Sequence, residues 1–301
     1  MFKKIFKILK LLIKPKFLII TLHYNLKRLF FDFYFIFKKP YKYNFIFIAG
    51  LPMSASTWIK NMCGLIPGYF TRYTPMNFET SINHNINESA FRFSPRWSYS
   101  LFKTHLNPYP ENLSILKKNN VKKIIVSYRD LRDVAVARYN RLLKFPKKKN
   151  EPHYLPLEKQ YRNISKEEGI NDSIRIVAEH YPKWIYGWKK IDKEFKDFIL
   201  FCKFEDLVQK PENTFREILN FYEIKLEPTL IREIIEKTRG KKNMIINFNE
   251  HQLLPFAYGT NFRSGKIGGW KDEFSKKNKE YFKTLAGEHL IKLNYESDNN
   301  W

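Results

Sequence analysis

Cysteine and acidic side chains are scarce in this chain. Two cysteines, Cys63 and Cys202, cannot form a disulfide framework, so we expect a reducing compartment, the cytoplasm. No cluster of metal-ligating residue types stands out in the sequence, and we expect no metal. Only 30 Asp and Glu stand against 54 Lys and Arg, which leaves a formal charge of +24. This excess indicates nucleic acid, an anionic membrane or small anionic ligands, although a lysine-rich composition alone makes many surfaces basic.

Apolar residues are abundant by contrast. They make up 44% of the 301 residues, and aromatic residues make up 17%. A chain of this length and composition can bury the core of one large domain, so a disordered protein is excluded.

The positive charge is concentrated at the N-terminus. Residues 1–43 contain eleven Lys or Arg and a single acid, Asp32. Lysines recur every three or four residues from Lys3 to Lys14, and apolar residues occupy the opposite arc. This pattern predicts a cationic amphipathic helix that lies in a lipid headgroup layer and ends at Pro15.

The next stretch, residues 17–37, is apolar but carries Lys27, Arg28 and Asp32 near its middle. Each such charge costs about 2.5–3.5 kcal/mol at the centre of a spanning helix, so a transmembrane segment is disfavoured. We predict a basic membrane-surface arm over residues 1–42 and a separate domain over residues 43–301. The alternative is a basic helix packed on its own domain.

Beyond residue 43, short apolar runs alternate with helical patterns. This order predicts a single α/β domain with a central parallel sheet flanked by helices. Residues 144–169 are polar and without a period, which indicates a loop or lid. The predicted strands are 44–50, 123–128 and 197–203, and the predicted helices are 56–65, 133–143, 174–191 and 211–222.

The turn after the first strand reads Gly-Leu-Pro-Met-Ser-Ala-Ser-Thr-Trp over residues 50–58. A strand, a tight turn of small residues and a helix together present backbone N–H groups and a positive helix end to an anion. The Gly-x-x-x-x-Gly-Lys spacing of a nucleotide triphosphate loop is missing, which disfavours an ATPase or GTPase. Alone, such a turn is more often a simple N-cap.

Residues 99–106 alternate like a strand that carries Lys103 and His105 on one side near its end. A histidine can accept a proton near neutral pH, and an ammonium group can offset charge on a transferring anionic group. The pair therefore suits transfer of an anionic group to a hydroxyl, although a single histidine in a strand is usually structural.

Two further segments carry cations suited to anions. Arg129 follows a predicted strand, at the edge where open α/β sheets bind ligands, and its structural alternative is an ion pair with a nearby carboxylate. Asp130 can cap the helix that follows, and Asp133 can complete a capping box. Near the end, residues 261–271 combine glycines with basic side chains, which is typical of an anion clamp or of a surface turn.

These four segments, in this order, resemble the PAPS-dependent sulfotransferases, which use 3′-phosphoadenylyl sulfate (PAPS) as sulfuryl donor. The 5′-phosphosulfate loop of that family reads approximately Pro-Lys-Ser-Gly-Thr-Thr-Trp. Met53 stands here in place of a lysine or arginine, and Ala55 in place of a glycine. The matching residues are Pro52, Ser54, Ser56, Thr57 and Trp58.

The resemblance also covers the 3′-phosphate motifs of the family. It implies that Arg129 contacts this phosphate, while Ala137 replaces a serine that normally does so. The glycine-rich segment resembles the loop that closes over the same phosphate, with Arg263 and Gly265 matching and Ser264 in place of a lysine.

The activity implied by the resemblance is transfer of a sulfuryl group from PAPS to a hydroxyl or amine. His105 is then the general base, Lys103 contacts the sulfuryl group, and Trp58 lies on the adenine side. The cation missing at Met53 typically contributes about 10²–10³ in rate, and Lys60, Arg72 and Lys103 are candidates to replace it.

Other functions remain as alternatives. One is a protein of this fold that binds PAPS or its product PAP without catalysis. The predicted membrane arm favours a lipid or glycolipid acceptor. No nucleic-acid reader motif is recognisable, so we expect no nucleic-acid partner.

Overall fold

The computed structural model describes residues 26, 29–71, 76–78, 84–91, 98–144, 161, 163–240 and 265–301. The helix predicted within residues 1–15 lies outside these ranges, as does most of the loop predicted at 144–169.

A parallel sheet forms the centre of the molecule. The described strands are β1 Phe45–Gly50, β2 Tyr69–Thr71, β3 Met76–Phe78, β4 His84–Ile86, β5 Tyr99–Thr104, β6 Ile124–Tyr128 and β7 Ile199–Lys203. Five of them pair in parallel in the order β2-β5-β1-β6-β7, and β3 pairs with β4 in a separate antiparallel ribbon. The predicted α/β class with a central parallel sheet is confirmed.

Helices cover both faces of this sheet. Residues 29–37 form α1, and a short 3-10 turn spans Glu88–Phe91. The other helices are α2 Ser56–Gly64, α3 Pro110–Lys118, α4 Leu131–Lys144, α5 Lys166–Glu194, α6 Phe204–Gln209, α7 Pro211–Phe221, α8 Pro228–Thr238, α9 Trp270–Glu273 and α10 Lys276–Lys292.

The start of α5 differs from the prediction. The helix begins at Lys166, inside the predicted loop, because Ser165 and Glu168 form a capping box in which each side chain bonds the other residue's backbone N–H. The Ser-x-x-Glu spacing at residues 165–168 is the sequence pattern that indicates this helix start.

Two apolar cores lie on opposite faces of the sheet. The α2 face includes side chains from α2, α7 and α8, and the α4 face includes side chains from α4, α5 and α10. The aromatic side chains of α5, Tyr181, Trp184 and Trp188, are buried on the α4 face. β1 and β6 are buried along their whole length because both faces are covered.

Helix α1 has one buried side and one exposed apolar side. Phe35 is buried, its ring lies 5.4 Å from that of Tyr99, and it fills the space beside Gly68. Phe30, Phe33 and Phe37 remain 65%, 66% and 76% exposed. The end of the predicted arm is therefore attached to the domain while it presents aromatic side chains outward.

Within the described ranges, no helix combines the length and the apolar character needed to cross a bilayer.

Candidate active site

The turn between β1 and α2 has an unusual backbone. Met53 and Ala55 have φ angles of 69° and 59°, in the left-handed region that favours glycine. Gly50 is required for a different reason, because a Cβ there would lie 2.2 Å from the Cβ of Ser56. The chain therefore turns sharply enough to place the start of α2 against the end of the strand.

The start of α2 presents backbone donors without a side-chain cap. Its N-cap residue is Ala55, which has no side-chain oxygen to accept from the first N–H groups of the helix. The hydroxyl of Ser54 is buried and occupied, since it donates to the Leu51 carbonyl at 2.6 Å and lies 2.8 Å from the hydroxyl of Ser127. The backbone of this turn can thus receive an anion, while Ser54 holds its shape.

The other predicted loop residues lie around the same turn. Pro52 and Ser56 are buried, and Thr57 is half-buried at the first turn of α2. The indole N–H of Trp58 donates to the hydroxyl of Thr238 at 3.0 Å, which fixes its ring on the α2 face. The side chain of Met53 packs against the core of the α4 face.

His105 contacts this turn directly. Its Nδ1 lies 2.5 Å from the carbonyl oxygen of Gly50, so Nδ1 carries the hydrogen and donates it. In the neutral ring this tautomer places the lone pair on Nε2. The contact joins the end of β5 to the end of β1 and prepares Nε2 to accept a proton.

Two tryptophans secure the chain immediately after this histidine. The indole N–H groups of Trp184 and Trp188 both donate to the carbonyl of Leu106, at 2.8 and 3.3 Å. Their role as supports for the residue next to His105 depends on a contact about eighty positions away in sequence.

Lys103 points to the α2 face. Tyr99 and Leu101 belong to the core of that face, and alternation along β5 places Lys103 on the same side. Burial, together with the positive charges of Lys60 and Arg141, lowers the pKa of its ammonium group to about 7. Cations from α2 and α4 therefore both lie within electrostatic reach of the Lys103 ammonium group.

Arg129 is held beside the glycine-rich segment. Its Nη2 donates to Asp133 at 3.0 Å and to the carbonyl of Lys266 at 2.8 Å, and its guanidinium lies 3.8 Å from the ring centre of Phe204. Its buried Nε has no hydrogen-bond partner among the described residues. The side chain is therefore positioned by two bonds and keeps one donor for a further acceptor.

Asp133 has a larger role than the sequence predicted. Its carboxylate accepts the backbone N–H groups of Gly268 and Trp270, each at 2.9 Å, besides the bond from Arg129. The predicted capping box is therefore wrong, because this carboxylate bonds a distant loop instead of the helix start. Asp130 does cap α4, accepting from the N–H of Arg132 at 2.9 Å.

Glu205 supplies the bond that Asp133 was expected to make. Its carboxylate accepts the backbone N–H of Asp130 at 3.1 Å and the hydroxyl of Tyr295 at 3.0 Å. Arg132 is also structural, because it pairs with Asp130 and Glu296 between the rings of Trp270 and Trp301.

The remaining predicted contacts divide into two groups. Ala137 lies half-buried on α4, two turns from its start, and Gly265 has a φ of 65° at the beginning of the described glycine-rich segment. Arg263 and Ser264, with the candidate cation Arg72, lie outside the described residues. The described residues contain no group of His, Cys and carboxylates arranged for a metal ion.

A parallel sheet with an uncapped helix start and several cations at its carboxyl edge defines an α/β protein built to bind anionic ligands there. A family model described as the sulfotransferase domain matches residues 44–294. The chain belongs to the sulfotransferase domain family.

Known proteins similar to the chain share this family. It is 26% identical over 265 residues to flavonol 4′-sulfotransferase of Flaveria chlorifolia, covering 81% of this chain and 78% of that one. It is 25% identical over 260 residues to sulfotransferase 1B1 of Canis lupus familiaris, covering 80% and 81%.

Two solved structures share the fold. Mouse sulfotransferase SULT7A1 complexed with PAP has a TM-score of 0.59 and 18% identity, covering 83% of this chain and 84% of that one. Retinol dehydratase complexed with retinol and PAP has a TM-score of 0.53 and 19% identity, covering 82% and 81%.

Proposed function

We propose that this protein transfers a sulfuryl group from PAPS to an acceptor hydroxyl or amine, with His105 as general base. The observation that carries the proposal is the bond from His105 Nδ1 to the Gly50 carbonyl. It places the proton-accepting Nε2 beside the turn where the 5′-phosphosulfate is proposed to bind. Both fold neighbours described above are complexes with PAP.

The residues present fit a nucleotide with phosphates at both ends. At one end, Ala55 leaves the N–H groups of α2 without a side-chain cap. At the other, the buried Nε of Arg129 has no partner among the described residues. We assign the 5′-phosphosulfate to the turn at residues 52–57 and the 3′-phosphate to Arg129 and the segment from Gly265, with Arg263 and Ser264 assigned to the same phosphate by resemblance.

When bound, PAPS supplies the sulfuryl group. His105 removes the acceptor proton at Nε2 and stays correctly oriented because Nδ1 is bonded to Gly50. Lys103, once an anion lies beside it, carries a positive charge that offsets charge on the transferring oxygens. Trp58 is proposed to lie along the adenine, and Ala137 borders the 3′-phosphate without contributing a hydroxyl.

The test of activity uses the full chain and radiolabelled PAPS. The acceptors are quercetin, 2-naphthol, octylamine and galactosylceramide in mixed micelles. We expect labelled product from at least one of them, with loss of the label transfer in His105→Gln. Normal binding of PAP with no transfer to any acceptor would overturn the enzyme and leave a nucleotide-binding protein of this fold.

A membrane-surface role for residues 1–42 is a further part of the proposal. Its support is the exposed aromatic side of α1, followed by Lys38 and Lys39, in a segment with ten net positive charges over residues 1–43. Aromatic side chains insert at the headgroup boundary while lysines attract anionic lipid. We propose a cytoplasmic protein bound peripherally at the membrane, and a hydroxylated lipid or glycolipid as acceptor.

Vesicle flotation tests this role. The full chain should float with phosphatidylcholine vesicles that contain phosphatidylserine and remain in solution with pure phosphatidylcholine. The double variant F33S/F37S should lose most of this binding, while the control Leu285→Ser, which changes a 38% exposed leucine on α10, should keep it. Equal flotation of both variants would show that this side of α1 does not contact lipid.

A further inference from the structure

The turn at residues 51–55 contains no basic side chain. Its central residue, Met53, has its side chain packed against the α4 face. An anion bound to the start of α2 therefore meets backbone donors at this turn but no cation from it. The charge that a transferring sulfuryl group develops must be offset from elsewhere.

Lys60 is the nearest basic residue that follows in the chain. It lies on the second turn of α2 and is only 5% exposed. Side chains on a helix lean toward its N-terminus, so the ammonium group of Lys60 leans toward the turn that precedes α2.

The position of Lys103 also indicates that cations converge on the turn before α2. Lys103 pairs in register with Ile48 on β1 and points to the face on which α2 packs. Helix α2 packs against β5, so the ammonium groups of Lys60 and Lys103 approach each other from the helix and from the strand, and the charge of Lys60 contributes to lowering the pKa of Lys103. A 5′-phosphosulfate bound at the start of α2 would therefore meet one cation from the helix and one from the strand.

We propose that Lys60 supplies the positive charge on the 5′-phosphosulfate that residue 53 does not provide. This inference rests on the proposed function. In the transfer, the acceptor oxygen forms a bond to sulfur as the bond from sulfur to the 5′-phosphate oxygen breaks. The electron pair of the broken bond stays on the phosphate beside Lys60 and Lys103, and the acceptor proton passes to His105.

The test compares two nucleotides that differ at the 5′ end. We expect Lys60→Met to weaken binding of PAP about 10- to 100-fold, since one charge-assisted bond is lost. Binding of adenosine 3′-monophosphate, which has no 5′-phosphate, should change less than about twofold. The exposed control Lys122→Gln should change neither.

A second variant moves the charge back to the turn. M53K/K60M should restore PAP affinity to within about threefold of the unmodified protein and restore transfer of label from PAPS. Unchanged PAP affinity in Lys60→Met, or equal losses for both nucleotides in a folded variant, would overturn the role of Lys60.

A crystal structure of the unmodified protein with PAP needs no variant to fold. Lys60 Nζ within about 3.2 Å of a 5′-phosphate oxygen is the expected result. A bound PAP with Lys60 remote from it would overturn this inference alone. A protein that binds neither PAP nor PAPS would overturn the proposed function as well.

Discussion

The two ends of the candidate site, around Arg129 and around Lys103, differ in the charges that surround their cations. At the Arg129 end, the arginine pairs with the carboxylate of Asp133, which joins it to the backbone of the glycine-rich segment. At the Lys103 end, burial and the nearby positive charges of Lys60 and Arg141 lower the pKa of Lys103 to about 7.

The difference indicates how each end contributes. The Arg129 end is assembled before a ligand arrives, so it can orient the 3′-phosphate without rearrangement. At the Lys103 end, burial and like charges disfavour the ammonium form of Lys103, so an anion bound there would favour it. Under the proposed function, the first end is suited to recognition of the 3′-phosphate, and the second places its electrostatic gain at the proposed position of the sulfuryl group.

The largest expected effect is on turnover. His105→Gln should lower kcat of label transfer by about 10²–10⁴, because the proton acceptor at Nε2 is lost. Its Kd for PAP should stay within about threefold, since no phosphate contact is assigned to this ring. His180→Gln, a histidine on α5, is the matched control. A parallel fall in PAP affinity would place His105 in binding instead of proton transfer.

Asp133→Asn should weaken the contacts that hold Arg129 and the glycine-rich segment together. Removing one partner of a buried pair costs about 3–5 kcal/mol, so the free energy of unfolding should fall by that order. Asp272→Asn, in the adjoining segment but with a carboxylate that is 65% exposed, should cost less than about 1 kcal/mol. Chemical denaturation measures both, and equal losses would contradict the difference in burial.

Lys103→Met should stabilise the protein at pH 6, in contrast to Asp133→Asn. Removing a buried charge that two cations repel should raise the free energy of unfolding by about 1–2 kcal/mol. The folded pKa lies below the unfolded one, so the unfolded chain binds more protons between pH 7 and pH 10.5. The contribution of Lys103 to the free energy of unfolding should therefore rise with pH across that window, and this rise should be absent in Lys103→Met.

Ala55→Gly has the smallest expected effect. The left-handed backbone at this residue costs a residue with a side chain about 1–2 kcal/mol. Glycine avoids this cost, but part of the gain is lost because glycine raises the conformational entropy of the unfolded chain. We expect a net stabilisation of about 1 kcal/mol. The control Ala178→Gly, inside α5, should destabilise by a similar amount. Equal destabilisation by both would mean that the strain at Ala55 is absent in solution.

The sequence allowed the strand, turn and helix of the candidate site to be predicted because their signals are local. The apolar run of β1, the glycine at its end and the small residues after it all lie within fifteen positions. The resemblance of the four ordered segments to the sulfotransferases then brought distant residues together, and the family match at residues 44–294 confirms that family. The roles assigned to individual site residues stay predictions.

The remaining features depend on tertiary packing. Asp133 was expected to bond its own helix, but its partners Gly268 and Trp270 lie more than 130 positions away. The proximity of Lys60 to Lys103 arises because α2 packs on the face of β5 that carries the lysine. Neither contact has a period or a spacing that a single sequence reveals.

Proton uptake on nucleotide binding tests most directly whether the Lys103 end awaits an anion. Calorimetric titration with PAP at pH 8, in two buffers of different ionisation heat, should show uptake of close to one proton as Lys103 regains its charge. Lys103→Met should show almost none. Tight binding of PAP by the unmodified protein without proton uptake would contradict the account, because it would mean that Lys103 is already charged in the empty site.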